Sequence, residues 1–385
     1  MDKEGASRRA ELAVSLATGD GRIWGMTSAE RLRRTFQRAG LRTIARDALE
    51  RASGSEGVLL ARADWIYDEN LIRGLAQRPG AVLTGPGGAA AAAHVRADQA
   101  QSAAAALERG EDPAASVPGL TRLDPGELAY NEALRKREAP ILEPFGPAPV
   151  DRADARRVEA RLFQGSYKGV TDLVTKHLWP RPARVVTRWC ALAGVTPNTV
   201  TFVGLLLVIA AFALFWTGHF GWGLACGWMM TFLDTVDGKL ARVTLTSSRI
   251  GNVFDHGIDL IHPPFWWWAW FVGVQHGAHP LPWPSAILAI VTVGYVAQRV
   301  EEGVFLRAFK LQMHAWRRFD SWFRLITARR NPNLILLTAA ALVGRPDVGL
   351  AAVAIWTVAS FLVHLVQLVQ AFATPRAQVT SWLAG

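Results

Sequence analysis

Cysteine is nearly absent. Cys190 and Cys226 are the only two in 385 residues, which excludes a disulfide framework and a cysteine-based metal knuckle, and both read as small apolar packing residues. The opening MDKEGASRRA has no apolar run, so no cleavable signal peptide is expected. No internal repeat is visible. Long hydrophobic runs are missing from the first 180 residues and begin only near Thr201, although the chain as a whole is 50% hydrophobic with a mean hydropathy of +0.15. The pattern predicts a soluble domain followed by a membrane domain.

Negative charge is also short: 32 acidic residues face 42 basic ones, for a net charge of +10. The basic residues follow the boundaries of the apolar segments and form no independent basic domain, so a nucleic-acid partner is excluded and contact with anionic head groups is the better reading. The apolar runs mark candidate transmembrane helices near 200–217, 222–236, 252–274, 285–300, 333–343 and 350–372, of which the fifth is short by the spanning criterion. Lys239, Arg242 and Arg249 lie between the second and third. Arg299, Arg307, Lys310, Arg317, Arg318, Arg324, Arg329 and Arg330 lie between the fourth and fifth. The opposite connections WTGHFGW and VQHGAHPLPWP have no Lys or Arg, and GRPDVG has only Arg345. The positive-inside rule then places both termini in the cytoplasm of a multi-pass protein of the cell inner or plasma membrane.

Against that background four acids stand out. Asp234, Asp237, Asp255 and Asp259 fall inside the hydrophobic stretch, where one charged side chain costs roughly 2.5–3.5 kcal/mol even on the lenient insertion scale. Asp234 and Asp237 are three apart, with Gly238 and Ala241 continuing the stripe. Gly251, Asp255 and Asp259 recur every fourth residue, so on helices each set shares one face. Carboxylates crowded in low dielectric repel one another unless a counter-charge is present, and oxygen-only donors suit hard divalent cations such as Mg²⁺ or Mn²⁺. The reading is a two-metal site. Gly238 and Gly251 leave room for a bulky ligand, and Arg242, one turn beyond Gly238, can pair with phosphate.

Asp234-x-x-Asp237-Gly238-x-x-Ala241-Arg242, followed after eight residues by Gly251-x-x-x-Asp255-x-x-x-Asp259, resembles the signature of the CDP-alcohol phosphotransferases at every fixed position. Thr196-Pro197-Asn198-x-x-Thr201 resembles the lead-in to that family's first membrane helix. The resemblance covers roughly 180–373. It implies an all-α polytopic domain of six helices, a homodimer, and metal-dependent transfer of a phosphoalcohol from a CDP-alcohol to an acceptor hydroxyl, releasing CMP. At least one of the two alcohols is a lipid. Residue by residue, it implies that Asp234, Asp237, Asp255 and Asp259 hold the metals and that Gly238, Ala241, Arg242 and Gly251 line the CDP-alcohol site. Asp259 is then the general base. Asn198, His256 and Arg299 are further candidates for supporting contacts or acceptor binding, and the Arg317–Arg318 pair is another. Asp255-His256-Gly257-x-Asp259 is similar to the choline/ethanolamine branch and hints at a soluble CDP-alcohol. CDP-diacylglycerol with inositol phosphate or glycerol phosphate is the alternative. An ion pathway or scaffold using the same acids is the different-class alternative; it does not require the Gly-x-x-Ala-Arg insert.

Residues 1–148 read as a soluble α/β domain, with apolar strands near 57–61 and 81–83 and helices near 28–39 and 69–76. The Ala-rich 89–106 reads as a helix. GMTSAERLRRTFQRAG and VLLARADWIYDENLIRGL resemble parts of sugar-phosphate nucleotidyltransferases, which would make Asp64 a metal residue. The glycine-rich, basic phosphate loop expected near the start of that family is missing, so a non-catalytic version is expected, with an unrelated docking domain as the plain alternative. Residues 149–195 read as amphipathic juxtamembrane helices suited to a membrane surface, and 196–375 as the phosphotransferase domain. His256 reads as a packing or supporting residue, Pro263-Pro264 as a kink in the third span, and 266–268 as lipid-facing or interfacial tryptophans.

Overall fold

The computed structural model describes residues 9–17, 19–51, 56–131, 134–146, 152–247 and 249–384, without the side chains of Arg51, Arg152, Arg249, Ile250, Asn252, Asp255 and His256. The chain divides into two units, Met1–Tyr167 with Arg242–Leu245, and Lys168–Ala241 with Thr246–Gly385.

In the first unit, short apolar runs form a six-stranded mixed sheet. Its order is Arg42–Thr43, Ala10–Leu16, Gly57–Arg62, Ala90–Arg96, Ala81–Thr84, Thr121–Leu123. The first three strands run parallel, and Ala90–Arg96 is antiparallel to both of its neighbours. Strand alternation buries both faces. Ala13, Leu59, Ala61 and Leu83 pack with Leu32 and Phe36 of α1 (Ser28–Arg38) and with Leu71 and Leu75 of α2 (Glu69–Leu75). Val14, Val58, Leu60 and Val82 pack with Ala100, Ala103, Ala104 and Leu107 of α3 (Ala100–Glu108). Thr27 starts α1 by accepting from the Glu30 amide at 3.1 Å, an N-cap in the usual sense.

Details of this unit refine its reading. The Ala-rich stretch is a strand, Ala90–Arg96, before it is a helix: Ala90–Ala93 are at most 1% exposed between two strands, and that sandwiched position overrides alanine's helix preference. A short connection follows the first strand, with Gly19 and Gly21 ahead of Arg22. Gly19 is needed there because a Cβ would lie 2.7 Å from the Ala63 carbonyl. Its own carbonyl accepts from the Ala29 amide, and the Gly21 carbonyl accepts from Ser28. Asp64 is held by Arg62 through two hydrogen bonds of 3.0 and 2.7 Å. Finally, α4 (Arg152–Gly165) buries Val158, Leu162 and Phe163 within this unit, with the Phe163 ring 6.0 Å from that of Trp24.

The second unit is helical: α5 (Pro180–Leu192), α6 (Pro197–Trp216), α7 (Phe220–Val243), α8 (Arg249–Gln275), α9 (Pro284–Phe309), α10 (Arg318–Phe323), α11 (Arg330–Leu342) and α12 (Pro346–Ala373). The last two residues of α7 cluster with the first unit. Six of these helices cover the six apolar segments and extend past them where polar residues continue the helical turns. By length and composition, α6 and α12 are apolar enough to cross a membrane. Among the described residues no other helix meets that test, so six crossings are not established by this criterion.

Small residues let these helices close up. A Cβ on Gly273 of α8 would fall 2.1 Å from the Phe215 carbonyl at the end of α6. Trp266 and Trp267 are 0% and 1% exposed, and Trp266 Nε1 donates to the Val208 carbonyl at 3.0 Å. They are core residues, and only Trp268, at 42% exposure, fits the outward-facing expectation. The correction has a simple cause: three successive helical residues point about 100° apart and cannot share one face. Helix α8 runs continuously through Pro263 and Pro264.

Asp172 anchors the approach to α11. It accepts from the Thr175 amide (3.0 Å), the Thr175 hydroxyl (2.8 Å) and Asn331 Nδ2 (2.9 Å) while buried. Burial alone would push its carboxyl up, but Arg324 and these hydrogen bonds outweigh burial and hold the pKa below the usual value. A depressed carboxylate stabilises the fold above its unfolded pKa, and that contribution is lost as pH falls through the folded one. Asp172→Ala is expected to cost about 2–4 kcal/mol, since it strands buried donors. The check is thermal melting of the purified protein at neutral pH, where an unchanged midpoint would contradict it.

Candidate functional site

Of the acids that the sequence groups together, Asp234 and Asp259 meet from two helices. Asp234 and Asp237 lie on α7, and Asp255 and Asp259 on α8. The Arg330 guanidinium, at the first residue of α11, donates through Nη2 to Asp234 Oδ2 at 2.5 Å and through Nη1 to Asp259 Oδ1. Two carboxylates from separate helices therefore lie within the reach of one planar fork. Asp237, 4% exposed, accepts from the Thr201 hydroxyl of α6 at 2.6 Å. The Asp255 and His256 side chains lie outside the described residues.

The acids differ in exposure. Side-chain exposure is 39% for Asp259 but 19% for Asp234 and 13% for Arg330. Gly238 and Ala241 follow Asp237 along α7, Arg242 occupies its last turn, and Gly251 lies one turn ahead of Asp255 on α8. The donors of the described acids are all oxygen, as a hard divalent cation requires. His262, one turn past Asp259, bonds the Ile258 carbonyl through Nδ1 at 2.6 Å and packs edge-on against Trp266.

Thr196 and Pro197 have a local structural role. Thr196 caps α6 by accepting from the Thr199 amide at 3.2 Å, and Pro197 fills the first helical position, where its missing N–H costs nothing. Asn198 is on the exposed side of that turn. It is Thr201, four residues past Pro197, that reaches an acid.

Beside the acids is a cluster of arginines. Tyr295 of α9 donates to the Leu260 carbonyl at 2.9 Å, and Arg299 sits 5.5 Å over the Tyr295 ring. Arg299 pairs with Glu302 at 2.8 Å, and Arg329, the residue before α11, bonds both Glu302 oxygens. Glu302, His314 and His364 bring donor atoms within 4.8 Å of one another, but the Arg329 guanidinium already occupies the cation's place: it is bonded to Glu302 and lies 3.4 Å from His314 Nε2. Arg324 is added behind them, its pKa pushed well down by burial and by Arg329. Among the described residues, buried Arg299 Nε, Arg324 Nη1 and Arg329 Nε have no hydrogen-bond partner.

Arg317 is committed elsewhere. It pairs with Asp320 at 3.0 Å, donates to Gln370 at 2.7 Å and stacks on Trp316, while Arg318 lies over Trp382. Sequence reasoning missed Arg330 as a site residue. Its only signal was its place at the start of an apolar helix, immediately after Arg329.

Residues 194–328 match the sequence model of the CDP-alcohol phosphatidyltransferase family. The chain is similar to the phosphatidylinositol phosphate synthase of Mycobacteroides abscessus, with 33% identity over 124 residues, covering 28% of this chain and 52% of that protein. It is also similar to cholinephosphotransferase 1 of Xenopus laevis, with 31% identity over 150 residues (35% and 34% of the two chains), and to that of Gallus gallus, with 30% over 148 residues (35% and 42%). The matched part spans about half, or less, of these relatives.

Proposed function

We propose that the protein is an integral membrane CDP-alcohol phosphotransferase, transferring a phosphoalcohol from a CDP-alcohol to an acceptor hydroxyl and releasing CMP in phospholipid or related phosphodiester synthesis. The observation that carries this reading is the meeting of Asp234 and Asp259 on one guanidinium, beside Asp237 held by Thr201, inside the segment that matches the family.

In this reading Asp234, Asp237, Asp255 and Asp259 hold two divalent ions, Mg²⁺ or Mn²⁺. Bound there, such ions neutralise and polarise a diphosphate. Gly238, Ala241, Arg242 and Gly251 line the cytidine diphosphate site. Asp259, the most exposed of the described acids, takes the proton of the acceptor hydroxyl as it attacks the phosphorus that bears the alcohol. CMP departs as the leaving group. Six helices cross the membrane, both termini are cytoplasmic, and two copies pair. α5, with exposed Val185, Trp189 and Leu192, lies on the membrane surface.

A second reading of the substrates has an observation of its own. Three arginines with unpartnered, buried donors beside Asp259 favour an acceptor that carries phosphate, hence a lipid CDP donor with a phosphorylated polyol, over a soluble CDP-alcohol with a neutral lipid acceptor. Incubating purified protein and Mg²⁺ with CDP-choline, CDP-ethanolamine and CDP-diacylglycerol against diacylglycerol, inositol phosphate and glycerol phosphate separates the two. CMP release is expected with one donor class, and absence of release with every pair would remove the proposal.

The first unit is proposed to be non-catalytic. The support is the engagement of Asp64 by Arg62 and the use of the Ser28 and Ala29 amides by the loop's own carbonyls. The full-length protein with CTP and phosphorylated alcohols is expected to release no pyrophosphate, and steady release would make the protein bifunctional.

A further inference from the structure

Carboxylates from two helices that meet at partly buried positions, Asp234 and Asp259, need positive charge even when no metal is bound. Coulomb repulsion between like charges at close range grows as the dielectric falls, and an uncompensated buried charge is strongly destabilising. Arg330 supplies that charge with unusual economy of geometry. Its two terminal nitrogens each bond a carboxylate from a different helix, Asp234 of α7 and Asp259 of α8. An arginine fork suits this task because its donors are planar and fixed relative to one another; a lysine ammonium is a single point.

The backbone of Arg330 is anchored independently of these contacts. Arg329 is tied to Glu302 of α9, and Asn331 is tied to Asp172 and Thr175. The side chain alone extends into the pocket, where it is 13% exposed and also approaches Met230 Sδ at 3.5 Å. The oxygens it uses, Asp234 Oδ2 and Asp259 Oδ1, belong to the acids that the proposed function assigns to divalent ions. An oxygen turned to the guanidinium offers fewer free lone pairs to a metal, and the guanidinium's own charge opposes a second cation beside it.

We infer that Arg330 is a built-in stand-in cation, holding Asp234 and Asp259 together while the site is metal-free and giving them up when a divalent ion binds. It is a positioning residue in this sense: it keeps the pocket formed, and it competes with the metal. The inference rests on the metal-binding reading of the acids, and its consequence follows from linkage, since whatever stabilises the metal-free state weakens apparent metal affinity by the same factor. Removing Arg330 therefore destabilises the metal-free protein and tightens metal binding. A purely structural arginine would not produce that combination.

The test uses the full-length protein purified in detergent as wild type, Arg330→Gln and Arg330→Lys. Thermal melting is measured in EDTA and at saturating Mg²⁺, and Mn²⁺ binding is measured by the paramagnetic resonance signal of free Mn²⁺. Arg330→Gln is expected to melt below wild type in EDTA, with the deficit shrinking in Mg²⁺, and to half-saturate with Mn²⁺ at about tenfold lower concentration, the equivalent of one charge-assisted contact. Arg330→Lys, which keeps the charge but cannot span both acids, shifts the same way by less and carries the test if Arg330→Gln does not fold. An equal melting deficit with and without metal, or Mn²⁺ binding that is unchanged or weaker, overturns the inference. If wild type itself neither binds Mn²⁺ nor gains stability from Mg²⁺, the metal reading of the acids fails and the inference falls with it; that outcome is recognised without any variant.

Discussion

Asp259→Asn is expected to abolish turnover while leaving binding of the CDP-alcohol intact. The substitution keeps the shape of the side chain and an oxygen that can still accept from Arg330, so α7 and α8 remain linked. It removes the basic site. General-base assistance contributes about 10²–10⁴ in rate, and the loss should be at least that large because the same carboxylate is assigned to a metal. CDP-alcohol binding is assigned to other residues: Arg242, the small residues Gly238, Ala241 and Gly251, and ions still held by Asp234, Asp237 and Asp255. Turnover and donor binding measured side by side in the variant check both halves. Normal turnover would remove Asp259 from the base role, and loss of donor binding would make it a ligand-site residue instead.

Chelation should have an effect of similar size on the unmodified protein. With EDTA in excess, Arg330 is already engaged by Asp234 and Asp259, and Arg242 alone of the assigned residues is left to offset the charge of an incoming diphosphate. Metal ions typically contribute several kcal/mol of charge stabilisation in the transition state, and each 1.36 kcal/mol is tenfold in rate. A fall of about 10² or more is expected, with recovery on adding Mg²⁺ or Mn²⁺. The transporter or scaffold alternative predicts indifference to EDTA, so activity that survives chelation would favour it.

The sequence made the acidic pocket legible because charge inside an apolar run is costly and the i, i+3 and i, i+4 spacings set each pair on one helix face. The structure joins those faces through Arg330, a residue that its neighbourhood disguised. Placed among eight basic residues in one connecting stretch, it read as positive-inside charge, and only its position at the start of α11 directs it to Asp234 and Asp259. Thr201 was visible as part of a helix lead-in, but its bond to Asp237 depends on how α6 packs and cannot be read from spacing. The same limit explains the errors elsewhere. Ala90–Arg96 is a strand because two partners flank it, and Trp266 and Trp267 are buried because α8 packs against its neighbours, neither of which local composition records.

The most direct measurement is product stoichiometry. Purified protein with Mg²⁺, a CDP-alcohol and an acceptor is followed for CMP by chromatography and for the new phosphodiester by mass spectrometry. The account predicts equimolar CMP and phosphodiester, growing together and both absent when Asp259 is replaced by Asn. No CMP with any donor and acceptor pair, or CMP without a matching phosphodiester, would contradict it.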